Sequence, residues 1–239
     1  GAFIQRVSNE FIAPDGLLVS PLWLPESHEP TETSSPVCYL DLESSSANLY
    51  AWEATVNGAA SAIGFLQEQT GLSVSPDDIH RALRLDPQRD CYFLNAVGGL
   101  SAPWWRTDLS SRFSPELSSD EKILAWLESI IFQIAVNVQL MNQQGRAQKI
   151  YISGGLSNAN AICKKIADLT QMEVIRSDNA DATLQGIANM AGGLSVAWLP
   201  QLRDEKFSPE PNPSLLHRFS VWRVAMGLWL GTLTKPDVR

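Results

Sequence analysis

The segment from Ser118 to Gly145 limits the possible folds of this chain more than any other stretch. Ser118 and Glu121 make a capping box, after which Ile123, Trp126, Leu127, Ile130, Ile131, Ile134, Val138 and Met141 recur as one apolar stripe that stops before Gly145. Such a helix must be covered by other elements, and the flanking sequence supplies them. Upstream, the apolar runs Ala2 to Val7, Leu17 to Leu24 and Val37 to Leu42 are separated by turn-forming clusters and predict three strands. From Tyr50 the spacing of Trp52, Val56, Ala59, Ala60, Ile63 and Leu66 predicts a helix that Gly71 closes. Ser75, Pro76, Asp77 and Asp78 announce a second, shorter helix. Cys91 to Ala96 reads as a short buried strand before a Gly- and Trp-rich loop, Gly98 to Trp105.

Downstream, Lys149 to Ile152 reads as a strand, Ser157 to Leu169 as a helix, Met172 to Ile175 as a strand and Asp181 to Met190 as a helix. The Pro-rich stretch from Pro200 to Pro213 is expected to cross the surface before a last helix, Leu215 to Leu230. Strands followed by alternating helix and strand predict an α/β fold, a mixed sheet flanked by helices. Residues 1–239 form one domain in this reading, with residues 200–239 a C-terminal helical extension.

Hydrophobic residues make up 44% of the chain, enough for a substantial core. The formal net charge of −8 disfavours nucleic acid as a partner, because a phosphate-binding surface needs an excess of Lys and Arg. Cys38, Cys91 and Cys163 have no CxxC spacing and no histidine at ligand spacing, so they read as buried thiols of a reducing compartment, the cytoplasm. The apolar run Val221 to Leu233 is broken by Arg223 and too short to span a bilayer, and no secretory signal is visible. His28, His80 and His217 lack partners at metal or triad spacing, so no metal site is expected. Trp104, Trp105 and Trp126 suggest stacking platforms for sugars, but Trp126 reads rather as core and Trp105 as packing at a loop root; Ser44 to Ser46 read as a polar turn, and Glu43 and Glu53 as cap or helix-end residues in preference to a role for Glu53 in ordering a cleft.

The most informative chemistry lies in KIYISGGLSNANAICKKIAD, Lys149 to Asp168. Gly154 and Gly155 stand where a strand turns into a helix, and Ser157 and Asn158 occupy the following turn. Two missing Cβ atoms let a flat or charged ligand lie against backbone N–H groups. On spacing alone, a tight turn that merely needs positive φ is the favoured explanation of the pair.

Around that turn the chain resembles the FGGY family of carbohydrate kinases. In that family a strand ends in Gly-Gly, a small or polar residue follows on the helix turn, and an Asp comes one helix later; here these are Gly154, Gly155, Asn158 and Asp168. Asp181, Gly186, Ile187 and Ala188 are similar to the family's acidic residue before Gly-Ala-Ala. YAWEATVNGAASAIGFL resembles YxLEGxVxxAGxxxxWL through Tyr50, Glu53, Val56 and Leu66. CYFLNAVGGLSAPWW resembles YFxPxxxGLxAPxW through Tyr92, Phe93, Gly99, Leu100, Ala102, Pro103 and Trp105. Glu128 sits as in the family's AxLExIAF helix, and Trp222 and Ala225 as in its closing WxxA helix.

The resemblance implies an actin-like ATPase (ribonuclease H-like) lobe, the C-terminal half of an enzyme that uses ATP and Mg²⁺ to phosphorylate a sugar or polyol. It implies nucleotide contacts from Gly154, Gly155 and Asn158, from Ala60 and Gly64 on the helix after YxLEG, and from a GT[GS] phosphate turn of which only Gly1 remains. The catalytic Asp belongs before that turn, so no catalytic residue is expected in this chain, and the sugar is held mainly by the N-terminal lobe. Membranes are not expected as partners, and a homodimer is left open. At Ala60 and Gly64 the glycerol-kinase-like members carry Gly and Gln, and Arg106, Thr107 and Asp108 replace the usual Asp-Pro. These departures keep a second reading in play, a degenerate, non-catalytic actin-like module used for assembly or regulation.

Overall fold

The computed structural model describes residues 1–22, 49–71, 73–177, 184, 187–188 and 204–233. The N-terminal layer is an antiparallel sheet in which β3 (Tyr50–Val56) lies between β1 (Ala2–Ser8) and β2 (Leu18–Pro21). This corrects the helix expected from Tyr50. Trp52, Ala54 and Val56 alternate inward along the strand and are buried, so a period of two decides the first half of that segment. Only Ile63–Thr70 is α-helical (α1), led in by a 3₁₀ turn over Ala60–Ala62 and closed by Gly71 at φ +71°. Glu53 therefore lies mid-strand rather than at a helix end, and its carboxylate accepts from Gln5 Nε2 across the ladder at 2.6 Å. The expected strand Val37 to Leu42 lies outside the described residues.

The capping box expected at Ser118 forms, and Ser75, expected as an N-cap, makes a second box with Asp78. Ser75 and Asp78 open α2 (Pro76–Ala82), and Ser118 and Glu121 open α3 (Ser119–Met141). Between them the strand expected over Cys91 to Ala96 shrinks to β4 (Phe93–Leu94), paired antiparallel with β5 (Arg112–Phe113). α3 is buried on more than one face: Ile123, Leu124, Ala125, Trp126 and Leu127 are consecutive buried residues, and five residues exceed one helical turn. By length and composition this helix is apolar enough to cross a membrane, yet 78% of the relevant window is buried inside the domain. It is a core helix.

The C-terminal layer is a second sheet. β6 (Lys149–Ile152) runs parallel to β7 (Glu173–Ser177), and α4 (Asn160–Thr170) crosses between them. β8 (Asp204–Phe207) then pairs antiparallel with β7, which corrects the unstructured crossing expected for the Pro-rich stretch. Three of its four residues are exposed charges, as suits an edge strand, and so no apolar alternation marks it in the sequence. α5 (Pro213–Leu230) starts at the Asn212 cap and lays Leu215, Phe219, Trp222 and Met226 into the same core as α3 and α4. The Asp181 to Met190 helix falls almost wholly outside the described residues.

Candidate functional site

β6, α4 and β7 form a strand–helix–strand unit with parallel strands, and ligands of such units collect at the carboxyl ends of the strands. Gly154 and Gly155 occupy that end of β6. Gly154 has φ +101°, a conformation that disfavours any side chain. Gly155 begins a 3₁₀ turn through Asn158, held by Ser157 N–H and Ser157 Oγ, which both donate to the Gly154 carbonyl, at 3.0 and 2.6 Å. Among the described residues, a Cβ built at either glycine meets no atom within 4 Å. The pair therefore faces open space, a floor without side chains rather than a turn jammed against neighbouring backbone.

Asn158 is exposed on the same turn, and among the described residues its side chain makes no hydrogen bond. Ser157 is buried and belongs to the scaffold. Asp168, the acidic residue one helix later, is scaffold too: it is almost fully buried, accepts from the Glu210 N–H at 2.9 Å and Asn212 Nδ2 at 3.1 Å, and pairs with Lys164 at 3.1 Å. Its carboxylate fastens the chain entering α5 to the end of α4.

Ala60 and Gly64 lie on the exposed side of the short helical segment after β3, and among the described residues a Cβ at Gly64 also meets nothing within 4 Å. Among the described residues, no hydrogen bond or ion pair links this segment to the Gly154 turn. Both pack on one hydrophobic core, through Ala62, Ile63 and Leu66 on one side and Leu156 and Ala159 on the other. Gly1 is exposed, and a Cβ there would stand 3.1 Å from the Val56 carbonyl.

The remaining sequence candidates divide cleanly. Trp126 is fully buried with Nε1 donating to the Gly58 carbonyl at 2.8 Å, and Trp104 sets its edge against Trp222, at 6.3 Å between ring centroids. Trp105 is 46% exposed and donates to the Gly16 carbonyl at 2.7 Å. Arg106 and Asp108 form a bidentate pair on the surface. His80 and His217 are exposed, His28 and Cys38 lie outside the described residues, and Cys91 and Cys163 are free, buried thiols. Burial pushes the Cys91 thiol up to about 12, which makes it unreactive at neutral pH. Among the described residues no cluster of His, Cys, Asp and Glu could cage a metal. An open cavity of about 360 Å³ between Arg146, Gln148, Gln171 and Met172 lies at the amino ends of β6 and β7, the wrong end for the turn to serve it.

Sequence reading missed the polar residues that hold the interior together. Glu128 is fully buried and accepts from Lys165 at 2.6 Å and from Arg218 at 2.8 Å, while Arg218 also reaches Asp86 at 2.6 Å. Arg176 grips the backbone beneath the Gly154 turn. The family motif marked Glu128 but not its role, and Arg176 and Arg218 carry no local signal, because the partners come from other elements.

The family described as the FGGY family of carbohydrate kinases, C-terminal domain, matches residues 22–194. Glycerol kinase of Synechocystis sp. is 30% identical over 155 residues, covering 62% of this chain and 31% of that protein. Glycerol kinase of Mycobacterium tuberculosis is 31% identical over 160 residues, covering 63% and 30%. The chain thus spans about a third of the length of these relatives. Among solved structures, Plasmodium falciparum glycerol kinase with ADP superposes with a TM-score of 0.72 at 17% identity, over 95% of this chain and 45% of that one. Ligand-bound xylulose kinase of Lactobacillus acidophilus gives 0.67 at 14% identity, over 95% and 44%. The shared fold is the actin-like ATPase fold.

Proposed function

Because the chain belongs to the FGGY family of carbohydrate kinases, whose C-terminal domain it carries, we propose that it is the nucleotide-binding lobe of an enzyme that moves the ATP γ-phosphate to a sugar or polyol hydroxyl. One observation carries this reading: the Gly154-Gly155 turn stands open at the carboxyl end of β6, with no atom of the described residues within 4 Å of either missing Cβ. A flat ring and ribose can lie there against the backbone, beside the exposed Asn158 amide. The solution of a structural neighbour with ADP supports a nucleotide as the ligand.

In phosphoryl transfer the protein positions the reactants and offsets charge, while Mg²⁺ bound with the nucleotide neutralises the phosphates. The residues of this lobe contribute the first part. The Gly154 turn holds adenosine, Ala60 and Gly64 border the same ligand, and Gly1 lies toward the phosphates. The sugar, and the carboxylate that takes its proton, belong in this reading to the N-terminal lobe. A ligand shared by two walls loses much of its binding energy when one is missing, since each polar contact left open to water contributes only about 0.5 to 1.5 kcal/mol.

The test follows ADP release by the full-length protein with a panel of polyols and sugars, beside hydrogen exchange of the Gly154–Asn158 segment with and without ADP. Turnover of one polyol and slowed exchange in that segment are the expected results, with no turnover by residues 1–239 alone. Turnover by these residues alone would overthrow the two-lobe reading. The absence of a Gln side chain at Gly64, where the space is open, favours the second reading of a non-catalytic module. Unchanged exchange and no turnover in the full-length protein would select it.

A further inference from the structure

Gly154 and Gly155 have the widest conformational freedom of any residues, so the shape of their turn must be imposed from outside. The imposing group is Arg176, near the end of β7. Its Nη1 donates to the Ser157 carbonyl at 2.5 Å, and its Nη2 donates to Asn160 Oδ1 at 2.8 Å and to the Glu205 carboxylate. Glu205, on β8, accepts in turn from Asn160 Nδ2 at 3.2 Å, which closes a ring of three side chains over the start of α4. The guanidinium also lies 5.4 Å from the centroid of the Phe207 ring. Cys163 Sγ donates to the same Ser157 carbonyl at 3.3 Å. Ser157 is the residue whose N–H and hydroxyl both hold the Gly154 carbonyl, so the clip reaches the glycines through one intermediary.

We propose that Arg176 and Glu205 are positioning residues, which hold the Gly154–Asn158 turn in its ligand-receiving shape and thereby set the affinity of the lobe for nucleotide. This rests on reading that turn as the nucleotide site. The energetic route is a population effect: affinity falls in proportion to the fraction of time the turn spends in the receiving shape. Planar guanidinium geometry is needed, because one cation must meet a backbone carbonyl, an amide oxygen and a carboxylate at once, which an ammonium on a flexible stem does poorly. β8 thus contributes to the site without touching the ligand.

The test uses full-length protein carrying Arg176→Lys, Glu205→Gln or both, with ADP as the probe. Exchange of the Leu156, Ser157 and Asn158 amides without ligand should quicken, and KM for ATP should rise about tenfold with kcat little changed, as the loss of a charge-assisted bond predicts. The double variant should do little more than either single one, because both cut the same ring. A merely structural pair would lower the melting temperature and leave the KM-to-kcat split untouched, and that outcome overturns the proposal. So does unchanged exchange of the three amides in folded variants. If ADP fails to protect the turn in the parent protein, the nucleotide reading itself fails. The clip is then judged on ligand-free exchange alone, where faster exchange in the variants sustains it and equal exchange overturns it.

Discussion

Glu128 and Arg218 meet in the core through two hydrogen bonds of 2.8 Å, joining the middle of α3 to α5 across ninety positions of sequence. Lys165 of α4 completes the contact at 2.6 Å, so three helices converge on one carboxylate. Removing one charge from such a group leaves the others desolvated without compensation. Glu128→Gln keeps the volume and deletes the charge, and should cost about 3 to 5 kcal/mol in urea unfolding. A loss under about 1 kcal/mol would mean that water reaches the network and treats it as a surface pair.

Gly155→Val separates stability from binding. A Cβ at Gly155 meets no atom of the described residues within 4 Å, so the melting temperature should stay close to that of the parent. The same branched group would occupy the floor on which the ligand lies, at a clash cost of about 1 to 3 kcal/mol. Calorimetry with ATP on the full-length protein reads the difference, and unchanged affinity in a folded variant would remove the turn from the site.

Leu127→Ala probes the core helix by itself. Leu127 is 1% exposed, between Trp126 and Glu128 on the buried length of α3, and its truncation should cost roughly 2 to 5 kcal/mol. The loss should appear in the denaturation midpoint, with the ratio of ATP to ADP affinity unchanged. Parental stability would contradict the packing of α3.

Acid should destabilise the domain through its capping boxes. The Arg89 guanidinium, followed by the Ser118 N–H and hydroxyl, lowers the Glu121 carboxyl from 4.5 to about 2. The stabilisation from this depressed group is fully present above its unfolded value of about 4.5 and is lost as pH falls toward about 2. Glu121→Gln should lower stability at neutral pH and flatten its decline over that window. A parallel decline in both proteins would assign acid unfolding to other carboxylates, with Asp78, held at about 2 by Ser75 and Arg81, the first to examine.

What was legible in the sequence was what short-range chemistry decides. Ser118 with Glu121 and Ser75 with Asp78 cap helices through atoms three residues apart, and β6 runs from Lys149 to Ile152 as its composition predicts. The Gly-Gly turn and the family likeness are local too, since they depend on residue types in order along the chain. Tertiary structure decided the rest, because the partners are distant. Ala-rich residues 50–56 satisfy a helical period as well as a strand's, and only β1 and β2 on either side make them a strand. Asp204–Phe207 carries no apolar alternation, and only the free edge of β7 recruits it into the sheet. Charge at Glu128 becomes tolerable in the core only once Lys165 and Arg218 arrive from two other helices, and Arg176 reaches the Ser157 carbonyl only because the crossover through α4 sets β7 beside β6. Capping, turn chemistry and residue order are written within a few positions; strand pairing and buried charge are settled by which surfaces meet when the chain closes.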